Sequence, residues 1–164
     1  MTEIKNETYC VLPFNHMNLH PNGNVSICCV AKMFGDNNGF SRNSTGEMLN
    51  IRNSTIDDIF NSFSYNEIRE QMKKNERPIA CEGCYKIEDA GGVSRRMNEN
   101  ARWDKVAKPK LEFLDLRMSN LCNLRCLMCY PDSSSSLAPD YKRWSEKLSF
   151  MTKNSSEHEL FQWF

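Results

Sequence analysis

The stretch LEFLDLRMSNLCNLRCLMC occupies residues 111–129. Its first six residues, Leu111-Glu112-Phe113-Leu114-Asp115-Leu116, read as a strand. Cys122, Cys126 and Cys129 then place three thiols within eight residues, on the loop after that strand. Three thiolates can bind three corners of a cubane iron–sulfur cluster, whereas most such clusters take four cysteines. No Cys or His follows within the next twenty residues, which leaves one iron open to a substrate or cofactor. Further on, residues 140–151 set Tyr141, Trp144, Leu148 and Met151 on one side of a helix. Strand, loop and helix make one βα unit, and the fold class expected is α/β.

The rest of the chain bounds what this unit can belong to. The protein has 164 residues, 40% of them apolar, with 21 basic side chains against 21 acidic ones. That apolar share is too high for a disordered chain, and zero net charge argues against general phosphate attraction to nucleic acid. No apolar run reaches the roughly 18 residues of a membrane span. The N-terminus lacks the continuous apolar stretch of a secretory signal. A cytoplasmic location follows as the expectation, with neither nucleic acid nor membrane as partner. The eight cysteines are then read as metal ligands rather than as a disulfide framework. With only seven glycines, no phosphate-cradling loop is found.

Upstream of residue 111, PFNHMNLHPNGNVSICCV (13–30) places Asn22-Gly23 between two strand-like runs, the signature of a hairpin. Residues 35–54 read as a long polar loop. Thr55 is a cap for a helix with Ile56, Ile59, Phe60 and Phe63 at helical spacing. Ser64-Tyr65-Asn66-Glu67 reads as a capping box, with Tyr65, Ile68 and Met72 on one face. Pro78 ends the pattern, and Cys81-Glu82-Gly83-Cys84 follows at once. Residues 98–110 read as a polar connector. His16 and His20 are expected to be exposed rather than ligands, and Arg95-Arg96 to form a solvated basic turn. Residues 131–139 read as a flexible turn or helix entry, and Ser156–Glu159 as another capping box.

Cys122-x3-Cys126-x2-Cys129 after a strand resembles the signature of radical S-adenosylmethionine enzymes. Ser119-Asn120-Leu121 before the first ligand and Asn123-Leu124-Arg125 between ligands extend the resemblance. It implies a [4Fe–4S] cluster on Cys122, Cys126 and Cys129, with S-adenosylmethionine chelated at the fourth iron. It implies reductive cleavage of that cofactor to a 5′-deoxyadenosyl radical. The family carries an aromatic residue near the adenine where Met128 stands here. The family's Gly-Gly-Glu motif has no counterpart in residues 130–164, and Gly91-Gly92 is not that motif.

Cys10, Gly23, Cys28 and Cys81-x2-Cys84 resemble the shortened auxiliary-cluster module called twitch, related to the longer SPASM module. The resemblance implies a second [4Fe–4S] cluster on Cys10, Cys28, Cys81 and Cys84, serving as an electron relay or structural support. Cys29 is left over and is read as a small buried side chain, although it could stand in for Cys28. A four-cysteine zinc site is the alternative, because spacing alone does not choose between zinc and iron–sulfur. In the family this module follows the barrel; here it precedes the three-cysteine loop.

The expected organisation is therefore an α+β auxiliary module with a β-hairpin and helices at residues 1–97, a linker at 98–109, and the first part of a radical S-adenosylmethionine core at 110–164. A complete βα barrel takes about 200–250 residues, so the barrel is expected to be incomplete and the chain a fragment of a longer enzyme. The apolar ending Leu160-Phe161-Gln162-Trp163-Phe164 agrees with that expectation. The resemblance implies a peptide or protein substrate and an electron donor such as a flavodoxin or ferredoxin. A non-enzymatic zinc-binding or iron–sulfur electron-transfer module is the alternative function.

Overall fold

The structure is a computed structural model that describes residues 7–31, 39–104, 108–129, 131 and 134–144. It divides into two compact units, Met1–Met118 and Ser119–Phe164, which are described separately.

The first unit is built around a small sheet. A single helical turn, α1 (Leu12–Asn15), carries Pro13 in its first turn, where a missing amide costs nothing. Strand β1 (His16–Leu19) follows and pairs antiparallel with β2 (Val25–Ser26) in the register Asn18↔Ser26 and Leu19↔Val25. The expected hairpin is present, and Gly23 turns it at φ +87°. The Asn50 side chain packs over that glycine and donates to the Asn22 carbonyl at 3.1 Å and to Asn24 Oδ1 at 2.8 Å. The polar loop after the hairpin folds back on it through the bridges Asn24↔Asn50, Ser26↔Phe40 and Arg42↔Met48. It remains a loop, with no strand or helix among its described residues, tied to the hairpin and to itself by these bridges.

Strand β3 (Phe113–Leu116) runs parallel to β1, giving the order β2-β1-β3. Helices packed on a mixed sheet make the fold α/β. Alternation along β3 turns Phe113 toward the core, where it stacks on Trp103 at 5.3 Å, and leaves Leu114 and Leu116 exposed. The strand that the sequence places at the start of a barrel thus shares a sheet with the hairpin.

Helix α2 (Ile56–Phe60) begins with a capping box: the Thr55 hydroxyl accepts from the Asp58 amide, and the Asp58 carboxylate accepts from the Thr55 amide. Ile59 and Phe60 are buried, while Ile56 and Phe63 are exposed. The helix stops at Phe60, so Phe63 falls out of phase with the apolar stripe. Helix α3 (Phe63–Lys73) starts after Ser62, two residues before the expected cap, because the Ser64 hydroxyl instead accepts from the Arg42 amide at 2.8 Å. Its inward face carries Tyr65, Ile68 and Met72, as the spacing requires. The buried Tyr65 hydroxyl donates to the carbonyls of His16 and Ser26, both at 3.2 Å, stapling α3 to both hairpin strands.

A 3-10 turn (Ile79–Cys81) leads into α4 (Glu82–Asp89), and α5 (Arg95–Arg102) follows, capped by the Ser94 hydroxyl. Residues 98–102 are therefore helical, not connector. Hydrophobic periodicity misses α5 because its inward-facing side chains are polar. Among the described residues no helix is long and apolar enough to cross a membrane.

In the second unit, a 3-10 turn (Ser135–Leu137) runs into helix at residues 138–144. The expected helix over 140–151 is thus present through 144 and starts two residues earlier, at 138. Its remainder, the capping box at 156–159 and the apolar ending at 160–164 lie outside the described residues.

Gly23 offers a direct check on the hairpin. A Cβ there would meet Asn50 Oδ1 at 2.5 Å, in a left-handed conformation that costs an L side chain about 1–2 kcal/mol. Gly23→Ala should lower stability by at least about that amount in urea unfolding. An unchanged midpoint would contradict this account of the turn.

Candidate metal centre

Three segments of the first unit bring four thiols to one cavity. Its lining includes Cys10, Cys28, Cys81 and Cys84, closed by apolar groups such as Leu12 and Ala80 and by Arg95 and Arg96.

Each thiol has its own local cause. Cys10 lies on the segment before α1, which α5 clamps. Asn100 donates to the Tyr9 carbonyl at 2.7 Å and accepts from the Val11 amide at 2.9 Å, imitating a strand partner on both sides of Cys10. Arg96 Nη1 donates to the same Tyr9 carbonyl at 2.8 Å. Cys28 follows β2, where its carbonyl accepts from the Ser26 hydroxyl at 3.0 Å. Cys81 ends the 3-10 turn, and Cys84 sits in the first turn of α4. The neighbouring Tyr85 anchors α4 by donating to the Thr8 carbonyl at 2.8 Å.

Arg96 is locked by the Glu88 carboxylate, which also accepts from the Ser94 hydroxyl. The Arg96 guanidinium holds Glu88 below its ordinary range, despite partial burial. Both partners are largely buried, so removing either would leave an uncompensated charge. Arg95 differs. Its Nη2 pairs with Glu99 at 3.2 Å, its Nη1 donates to Cys29 Sγ at 3.0 Å, and its buried Nε has no partner. The expected solvated basic turn is thus a pair of largely engaged guanidiniums at the cavity wall.

Burial dominates the electrostatics of the thiols. It pushes Cys28 up to about 12, with smaller upward contributions from the Cys29 and Cys84 thiols. Cys10 and Cys81 are also raised, first by burial and then by neighbouring cavity thiols. The sulfurs are near enough to oppose one another's ionisation. Among the described residues no three Cys, His, Asp or Glu side chains stand close enough to hold a metal ion as placed, and four cysteine thiols by themselves suit either zinc or an iron–sulfur cluster.

The histidines take other roles. His16 is fully buried, bonded through Nδ1 to the Ile27 carbonyl at 3.1 Å and packed on Phe113 at 4.2 Å. Burial lowers its pKa and keeps it neutral. His20 is partly buried and bonds to Asn18 and Ser26. Both had been expected at the surface. An imidazole carries enough apolar ring to serve the core once one nitrogen is bonded.

In the second unit the three-cysteine loop is more open. Cys126 is exposed, Cys122 and Cys129 are partly so, and Met128 is fully displayed to solvent. The Cys129 thiol is raised by partial desolvation, then by the charge of Cys126 and a hydrogen bond with it, and then by Cys122. The three sulfurs therefore sense one another. The loop is tied down by the serine run, which the sequence reads as a flexible turn or helix entry and which leads into the helix at 138. Ser134 and Ser136 hydroxyls both donate to the Leu124 carbonyl, at 2.8 and 2.7 Å. The Ser135 amide donates to the Asn120 carbonyl at 2.7 Å, and Arg125 pairs with Asp140 at 2.6 Å. These supports went unread because short polar runs between elements are ordinarily turns.

Residues 10–85 match the family model of SPASM, an iron–sulfur cluster-binding domain. The match begins on Cys10 and ends one residue after Cys84, so it encloses all four cavity cysteines. It does not reach the loop at 122–129. No curated protein and no solved structure matches the chain.

Two outcomes follow. Free thiols ordinarily ionise near 9.0, whereas the buried Cys28 holds its proton up to about 12. The folded, metal-free chain thus keeps protons that the unfolded chain releases between those values. Its stability should be complete below about pH 9 and fall as pH rises toward 12, with a shallower fall in Cys28→Ser. Urea unfolding of the reduced, chelator-treated chain across that range checks the sign, and a rise in stability would refute it. Separately, the double change Ser134→Ala with Ser136→Ala should free the cysteine loop. Tryptic cleavage after Arg125 should then quicken several-fold, and an unchanged cleavage rate would count against the serine tether.

Proposed function

We propose that the chain is a two-cluster iron–sulfur protein of the radical S-adenosylmethionine class. The observation that carries the reading is the gathering of Cys10, Cys28, Cys81 and Cys84 at one cavity, inside the segment that matches an iron–sulfur domain. These four would hold an auxiliary [4Fe–4S] cluster closed to substrate. Burial suits that role: the low dielectric that raises Cys10, Cys28 and Cys81 also means that metal must displace their protons, coupling assembly to pH.

Cys122, Cys126 and Cys129 would hold the second [4Fe–4S] cluster and leave its fourth iron for S-adenosylmethionine. When bound, that pair supplies one-electron cleavage of the sulfonium to give the 5′-deoxyadenosyl radical. The chain's own contribution is positional. Ser134, Ser135 and Ser136 fix the loop backbone, Arg125 is held by Asp140, and the exposed Met128 is available to the cofactor's adenine.

The first βα unit of an incomplete barrel belongs to the same reading. So does a peptide or protein as substrate. A flavodoxin or ferredoxin would supply the electron in the cytoplasm, with no nucleic acid or membrane partner. The second reading is a non-enzymatic zinc-binding or iron–sulfur electron-transfer module, because cysteine thiols alone do not choose between zinc and iron–sulfur.

Anaerobic reconstitution should give about eight irons per chain. Cys126→Ala should remove about half of the iron and abolish the response of the reduced-cluster EPR signal to S-adenosylmethionine. Cys81→Ala should remove the other half and leave that response intact. Roughly two zincs and no visible absorption would favour the zinc form of the second reading.

A further inference from the structure

Arg95 stands apart from the other charged groups at the cavity. Arg96 satisfies all three guanidinium nitrogens on Glu88 and the Tyr9 carbonyl. Arg95 lines the same cavity with two nitrogens engaged, Nη1 on Cys29 Sγ and Nη2 on Glu99. Its Nε is buried without an acceptor. A buried donor left unpaired costs about 1–3 kcal/mol, so native structures rarely keep one without a use. The groups already around it fix the side chain in place. Glu99 is buried and also accepts from Trp103 Nε1 at 3.1 Å, so the carboxylate that steers Arg95 is itself held.

We infer that Arg95 donates its free Nε–H to a sulfur of the cluster held by Cys10, Cys28, Cys81 and Cys84, and so raises that cluster's reduction potential. The inference rests on the cluster assignment proposed above. Hydrogen bonds to cluster sulfurs, local charge and solvent exposure set these potentials. An N–H aimed at sulfur stabilises the more negative, reduced state over the oxidised one. Reduction adds one electron from a low-potential donor, dithionite in the test, and breaks no bond. The Glu99 carboxylate offsets much of the Arg95 charge, so the hydrogen bond is the larger effect. Cys29 acquires a role as well: its sulfur accepts Nη1 and orients the guanidinium, without being a cluster ligand.

The test uses the full chain with Cys122, Cys126 and Cys129 changed to alanine, so that one cluster reports. Iron content and visible absorption are read first, then the midpoint potential by dithionite titration with mediators. Failure of this parent to hold four irons would overturn the cluster assignment and this inference together. With the parent loaded, Arg95→Gln should keep its iron and move the potential downward by about tenfold in the reduction equilibrium, or about 59 mV for one electron. The double variant Arg95→Gln with Glu99→Gln conserves net charge and should retain most of that shift. An unmoved potential in either loaded variant would overturn the role of Arg95 and leave the cluster assignment standing. If Arg95→Gln fails to fold, the parent itself decides. Pulsed EPR of the reduced cluster in 15N-arginine-labelled protein should show nitrogen coupling, and its absence overturns the inference.

Discussion

Four thiols gathered at one cavity, two of them buried and two half-buried, are the constraint on which the first unit depends. Burial makes ionisation of Cys10, Cys28 and Cys81 unfavourable. The polypeptide answers with polar clamps. Asn100 and Arg96 grip the backbone beside Cys10, Glu88 neutralises Arg96, and Tyr85 ties α4 to Thr8. The Asn100, Arg96 and Tyr85 bonds to residues 8–11 join segments far apart in sequence, so the cavity is a product of tertiary structure. A small unit gains in the same way from a metal centre, which closes long loops through few residues.

Much of this was legible because the signals were local. Asn22-Gly23 located the hairpin, Thr55 located a helix start, and Tyr65, Ile68 and Met72 revealed a buried face. Cysteine spacing picked out the four residues that share a cavity. What escaped reading depended on polar groups used inside. Helix α5 buries Glu99 and turns Arg95, Arg96 and Asn100 toward partners, so no apolar stripe betrays it. His16 is buried for the same reason, since one bonded nitrogen and one aromatic neighbour suffice. The cap of α3 slipped by two residues because Ser64 found a tertiary partner in Arg42.

The sheet adds a point about organisation. Parallel pairing of β1 with β3 places the strand before the three-cysteine loop in the same unit as the cavity. The core residues Trp103, Leu111 and Phe113 join them by packing, so the polar stretch around residue 100 is structural rather than a tether. In the second unit, by contrast, an exposed cysteine loop relies on serine hydroxyls and one ion pair. The two cysteine sets thus sit in different settings, one lining a cavity and one on an open, tethered loop.

The central claim is that the buried cysteines carry one four-iron cluster between them. Native mass spectrometry under anaerobic conditions, on the chain with Cys122, Cys126 and Cys129 replaced by alanine, addresses it most directly. The account predicts a single added mass of four irons and four sulfides, lost on replacing any one of Cys10, Cys28, Cys81 or Cys84 but kept on replacing Cys29. A mass increment of one zinc ion, or retention of iron in the Cys10 or Cys84 variant together with its loss in the Cys29 variant, would contradict it.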